Sequence, residues 1–390
     1  MDFRFTEEQE KFRQDVRDFL GEELKIGGFE PHCDAWIAGF SPEFTKKVSQ
    51  KGWIGIMWPK EYGGQSRTYM DRLILSEEML RYGAPAACHW FADRQIGGAV
   101  LNFGTEEQKV EILPKIMRGE AYVGLGLSEP EAGSDLASLQ LRAAKDGDVF
   151  VMDGQKVWTS GAHFVNYIYL VARTDSEAPK HKGISEFIVD IGLPGITISP
   201  LVDITGGKHF SEVFFDGVRV PKKALIGVEN RGFYQILEQL DYERSGMERL
   251  MANYPLFDAI IKYAKETERN GKPMSKDSLI RQKLAQLQVD FEIGRLLIYR
   301  VAVVMDEGRV PNLEAAMAKA YGTTFEQRLA SYAMDILGLY GQLVEGDKLA
   351  PFRGMAPNSY LMSQGYSLQA GTTEILRNII ALRGLGLPAQ

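Results

Sequence analysis

The chain has 390 residues, 25% of them charged, and a formal net charge of −7, enough length for a large core and two or three domains. That acidic balance, with no Lys/Arg-rich run, argues against a nucleic-acid partner, and two cysteines, Cys33 and Cys88, are too few for a disulfide framework. A reducing, cytoplasmic setting is the expectation, because the N-terminus "MDFRFTEEQEKFRQDV" has no signal-peptide character and no apolar run approaches bilayer length.

Helical periodicity dominates up to about Glu120. "FTEEQEKFRQDVRDFL" puts Phe12, Val16, Phe19 and Leu20 on one face, and "SPEFTKKVSQKG" offers Ser41 as N-cap, Pro42 at the first helical position and Gly52 as a stop. "TYMDRLILSEEMLRYG" and "TEEQKVEILPKIMRG" read as two more helices, with "WPKEYGG" as a loop. From Tyr122 the runs become short and β-rich: "YVGLGLS", "VFVMDG", "KVWTSG", "YIYLVART", "ISEFIVDI" and "SEVFFDGVRVP". Asp146-Gly147 and Asp153-Gly154 read as hairpin turns between them. After Gly232 long helical runs return over 233–268, 278–308 and 312–338, with a last segment after Thr372. The expected fold is therefore α+β and multi-domain: an N-terminal helical domain (1–121), a central antiparallel β-sandwich or barrel (122–230) and a C-terminal four-helix bundle (231–390).

Chemistry has few candidates from composition alone. The five histidines, His32, His89, His163, His181 and His209, show no metal-ligand spacing. There is no P-loop, and no G-x-G-x-x-G follows a strand.

"GLGLSEPEAGSD" (124–135) resembles the Thr-Glu-Pro-x-Ala-Gly-Ser-Asp signature of the acyl-CoA dehydrogenases, with Ser128 in place of Thr. "KVWTSG" (156–161), "EVFFDGVRVP" (212–221) and "GTTEI" (371–375) agree in order and spacing, so the resemblance covers essentially the whole chain. It implies FAD, a CoA thioester substrate, formation of an α,β double bond, and electrons passed to an electron-transfer flavoprotein. By the same resemblance Leu125, Leu127, Ser128, Trp158, Ser160, Thr372 and Glu374 are cofactor-binding positions, and Ser134 lies between flavin and the CoA arm. An α-proton beside a thioester is too weak an acid unless donors hold the carbonyl oxygen as enolate character develops. The family uses a backbone N–H just before its Gly-Thr pair, here that of Ala370, next to Gly371.

Two departures follow. Where many family members carry the catalytic glutamate, this chain has Ala370, which cannot take a proton. A second lineage, including the isovaleryl-CoA enzymes, carries that glutamate on the first long bundle helix in a motif resembling Leu-Asp-x-Glu-Arg. "LDYERSG" (240–246) places Glu243 there, so Glu243 is the expected base, with Asp241 and Arg244 positioning the thioester arm and the helix. A lone exposed Glu-Arg neighbour pair is usually a solvated surface feature; the empty position at 370 reverses that preference.

The second departure lies in the half-site that family tetramers lend to a neighbour's FAD. Thr267 stands where an Arg is usual and Asn270 where a Phe is usual; Asp335 and Leu339 replace a Gln and a Gly of the pyrophosphate loop. A Cβ and a negative charge are both unhelpful beside phosphate, although Arg269 stands close by in sequence. The expectation is an α2β2 heterotetramer with a paralogous subunit, the alternative being a homotetramer. "ITGGKHFSEVFFDGVRVP" resembles heteromeric members acting on steroid-derived CoA esters, and the relocated base accompanies bulky, branched or cyclic acyl groups. An acyl-CoA oxidase and a non-catalytic subunit of a heteromer are the rival functions.

Overall fold

Side-chain caps set the helix ends. Thr6 accepts from the Gln9 N–H (3.2 Å) while the Gln9 side chain accepts from the Thr6 N–H (2.9 Å), a reciprocal box that opens helix Glu7–Lys25. The same device at Thr68 and Thr105 opens Tyr69–Arg81 and Glu106–Met117. Ser41 caps Pro42–Gln50 through the Phe44 N–H (3.2 Å), and Gly52 ends that segment at φ +70°, as its sequence predicts.

In the computed structural model, residues 4–243 and 246–388 are described, without the side chains of 240–243. The chain forms two units, one of residues 1–39, 68–85 and 244–390 and the other of residues 40–67 and 86–243. The N-terminal helices are thus distributed over both.

The second unit holds an eight-stranded sheet: β1 (Val123–Gly126), β2 (Arg142–Asp146), β3 (Val149–Ser160), β4 (Tyr167–Arg173), β5 (Ile184–Asp190), β6 (Ile196–Leu201), β7 (Phe210–Pro221) and β8 (Leu225–Ile226). The order is β6-β7-β3-β2-β4-β5-β8, with β1 added parallel to β4. One face buries Ala143, Phe150, Met152, Ile168, Leu170, Phe187, Val213 and Val220 as a continuous apolar layer. Two expectations change here. "VFVMDG" and "KVWTSG" are one strand, because Asp153-Gly154 is no hairpin but a register shift against β7, with Gly154 at φ +139°. Strands β2 and β6 were not among the expected runs. Asp146-Gly147 does enter a two-residue hairpin, since Asp146 pairs with Val149 and Gly147 has φ +58°.

The first unit packs helices Tyr254–Glu266, Ser278–Asp306, Asn312–Leu337 and Met355–Tyr366 around Leu256, Ile260, Ala264, Ile280, Ala333 and Ile336. Phe257, Phe291 and Phe325 meet pairwise with ring centroids 5.8 and 6.0 Å apart. The run 233–268, which periodicity reads as one helix, is divided. Helix Gly232–Glu243 belongs to the second unit, and Tyr254–Glu266 restarts after a turn at Ala252 and Asn253 with Pro255 in its first turn. Both thiols are buried, and burial pushes Cys33 and Cys88 up to about 12. Among the described residues, no helix is long and apolar enough to cross a membrane.

Candidate active site

The glycine-rich signature lies on and after β1, which pairs with β4, with Leu125 opposite Tyr169. Leu125, Leu127 and Ser128 are half-buried. A buried cation holds this edge in place. Lys156 Nζ donates to the Leu127 carbonyl (3.1 Å) and to Glu129 (2.8 Å), whose carboxylate also accepts the Gln140 and Leu141 N–H groups (2.6 and 2.9 Å). The Val157 N–H donates to the Ser128 carbonyl at 2.9 Å. Lys156 is fully buried, and desolvation brings its ammonium down to about 8 against the opposing pull of Glu129. The sequence motifs mark Trp158 as a cofactor position but give no role to Lys156 or Glu129.

Trp158 stands where β3 and β7 lose register. Three steps on β3, from Lys156 to Thr159, match two on β7, from Val213 to Ser211. That extra residue makes a β-bulge, and Trp158 takes φ +59° with 58% of its surface exposed. Its ring meets Phe210 edge-on at 6.0 Å. Ser160 pairs with Phe210 and is half-buried, and Thr159 Oγ1 is buried with no partner among the described residues. Ser134 is exposed in the turn after Gly133, beside Asp135, whose carboxylate Lys180 and Ser138 hold below the usual range.

In the first unit, the segment quoted as "GTTEI" is a tight turn into helix Thr373–Ile379. Thr372 is its N-cap and accepts from the Ile375 N–H at 3.3 Å. Ala370 and Gly371 both have left-handed backbone, φ +54° and +89°. Beneath them Lys319, fully buried on Asn312–Leu337, donates to the Tyr366 and Gly371 carbonyls at 2.9 and 2.8 Å. Glu374 is exposed on the first turn. Glu243 is the last residue of helix Gly232–Glu243; its side chain and that of Asp241 lie outside the described residues, as does Arg244 entirely.

The partner-side positions are also in this unit. Thr267 ends Tyr254–Glu266, and Asn270-Gly271 form the left-handed tip of a small hairpin. Arg269 donates to the Ile336 carbonyl at 3.3 Å, committing a donor to its own chain. Asp335 is paired with Lys283 at 2.6 Å, and Leu339 stands 83% exposed after Gly338.

The second unit's residues fit a flavin. A bulky ring held out of a strand by a left-handed bulge, an unpartnered buried hydroxyl beside it, and the half-buried Ser128 and Ser160 hydroxyls together supply an aromatic contact and polar donors. The chain matches the acyl-CoA dehydrogenase N-terminal domain over residues 6–120, the middle domain over 124–218 and the C-terminal domain over 230–385. It is 34% identical to the acyl-CoA dehydrogenase FadE29 of Mycobacterium tuberculosis over 344 residues, covering 88% of this chain and 87% of that one. Among solved structures it is similar to the Tcur3481-Tcur3483 steroid ACAD (TM-score 0.90, 32% identity, all of both chains). It is also similar to the ChsE4-ChsE5 complex from M. tuberculosis (TM-score 0.87, 30% identity, all of both chains). The chain belongs to the acyl-CoA dehydrogenase family and is an FAD-dependent oxidoreductase.

Proposed function

We propose that this chain is the catalytic subunit of a heteromeric acyl-CoA dehydrogenase for branched, cyclic or steroid-side-chain thioesters, with Glu243 as the base. One observation carries the reading: Ala370 has no proton acceptor at the family's commoner base position, while a glutamate ends helix Gly232–Glu243. The similarity to a two-component steroid enzyme and to the ChsE4-ChsE5 complex supports both the bulky substrate and the heteromer.

In this reading Ser134 steadies the CoA arm, Asp241 and Arg244 orient the base segment and the thioester arm, and the Ala370 N–H donates to the thioester oxygen. That donor stabilises developing enolate charge, which lets Glu243 take the α-proton. Leu125, Leu127, Ser128, Trp158 and Ser160, approached by Thr372 and Glu374, would hold FAD, which would supply a hydride acceptor for the β-hydrogen. The electrons then pass to an electron-transfer flavoprotein. A side chain as small as Ala370 leaves room beside the reacting carbons for branching.

Glu243→Gln is the direct test. Loss of a general base lowers rates by about 10²–10⁴-fold, so flavin bleaching by a panel of branched and steroid-side-chain CoA esters should fall by that much while FAD stays bound. Turnover at the wild-type rate would exclude Glu243.

A further inference from the structure

The turn that carries Ala370 is secured from one face of a single helix. On Asn312–Leu337, Lys319, Thr323, Glu326 and Gln327 recur at helical spacing on a buried or half-buried face. Gln327 donates to the Ser363 carbonyl at 3.1 Å; Glu326 accepts from Asn253 at 2.6 Å, and Asn253 also donates to the Tyr366 hydroxyl at 3.3 Å. The Tyr366 hydroxyl in turn donates to Asp34. The Tyr366 ring is therefore fixed by Asn253 and Asp34, and its carbonyl by Lys319.

Lys319 reaches across the turn. Its ammonium donates to the carbonyl of Tyr366, the last residue of Met355–Tyr366, and to that of Gly371, which lie on either side of Ala370. A helix C-terminus favours a cation, and two carbonyl acceptors offset part of the desolvation of a buried ammonium. The segment so bracketed contains two successive left-handed residues, one of them an alanine. Such a backbone persists only where its surroundings over-determine it.

We propose that Lys319 is a positioning residue for the thioester-oxygen site: by holding the Tyr366 and Gly371 carbonyls it fixes Ala370 in its left-handed backbone and so aims the Ala370 N–H. The proposal rests on the reading of Ala370 as the backbone donor to that oxygen.

The test uses the FAD-loaded enzyme co-expressed with its partner subunit and acetoacetyl-CoA as probe. The enolate of that thioester beside oxidised flavin absorbs at long wavelength, so its apparent pKa reads oxyanion stabilisation without turnover. The wild-type enzyme should lower this pKa relative to free acetoacetyl-CoA. Lys319→Met should raise it again by about one unit, a tenfold loss of enolate stabilisation, and speed amide exchange in the peptide 366–373 while FAD remains bound. A wild-type enzyme that leaves the probe's pKa unchanged overturns the Ala370 reading, and the proposal with it. A normal wild-type shift that Lys319→Met preserves overturns the role of Lys319 alone. Should Lys319→Met not fold, exchange in wild-type 366–373 as fast as in residues 385–388 overturns the clamp without any variant.

Discussion

Trp158 combines two features that an isolated chain would not favour, a left-handed backbone and a largely exposed indole. The backbone alone costs about 1–2 kcal/mol for a residue with a Cβ, and the bulge that imposes it turns the ring out of the sheet rather than into the apolar layer. Both become intelligible if the ring's partner is a ligand. Trp158→Ala should leave folding stability within about 1 kcal/mol, because little packing is removed, yet weaken FAD binding about tenfold or more by loss of stacking area. Titration of the apoenzyme by flavin fluorescence measures it, and unchanged affinity would take Trp158 out of the site. At this scale, the sequence disclosed the residues that sit in contiguous motifs. It did not disclose Lys156 and Lys319, because a lysine normally reaches water along its own stem; both are fully buried here. Among their acceptors are the backbone carbonyls at 127, 366 and 371, and no side-chain pattern advertises a carbonyl.

Helix Gly232–Glu243 bears the proposed base, and its attachment to the sheet is polar. Gln235 and Gln239, one turn apart, donate to Glu186 in the middle of β5 (2.9 and 3.4 Å), and Tyr169 of β4 donates to Gln239 (3.0 Å). Burial carries the Glu186 carboxyl up to about 8 and raises the Tyr169 phenol as well. Between the ordinary carboxyl value of 4.5 and about 8, the folded chain keeps a proton that the unfolded chain has released. Stability from this group is therefore complete below that window and declines as pH rises through it. Urea midpoints should fall from pH 5 to pH 8 in the wild type, whereas Glu186→Gln should flatten the profile and be the more stable protein at pH 8. A variant that follows the wild-type profile would show that Glu186 is ionised throughout. "ISEFIVDI" shows the strand but not this role, since a Glu between apolar residues also fits an exposed edge. Other elements were hidden for related reasons. "RAAKD" has no apolar alternation, and "ITISPL" is a short run with a proline at the sheet's edge. The two Asp-Gly pairs look alike in sequence, and only pairing with β7 makes one of them a bulge.

At the scale of the whole molecule, the first unit displays surface that an isolated chain has no use for. On Ser278–Asp306, Val289, Ile293 and Leu296 form an exposed stripe at i, i+4 and i+7, and Leu339, Tyr340 and Val344 are exposed after Asn312–Leu337. Apolar rows of this kind mark association. The same region holds the positions with which family members complete a neighbour's FAD site, and here they are poorly suited to phosphate. Arg269 is committed to the Ile336 carbonyl, Asp335 brings a carboxylate that Lys283 must neutralise, and Leu339 sets a side chain where the family has glycine. The features that fit flavin are in the other unit and intact. A chain able to hold its own flavin but unable to finish another's should bind FAD well only beside a subunit that supplies the missing arginine. Co-expressed with such a paralogue it should purify as α2β2 with one FAD for every two chains, by absorbance against amino-acid analysis. Expressed alone it should lose most of its FAD on gel filtration. A homotetramer of this chain carrying one FAD per subunit would overturn the heteromer and require Arg269 to leave the Ile336 carbonyl for the phosphates.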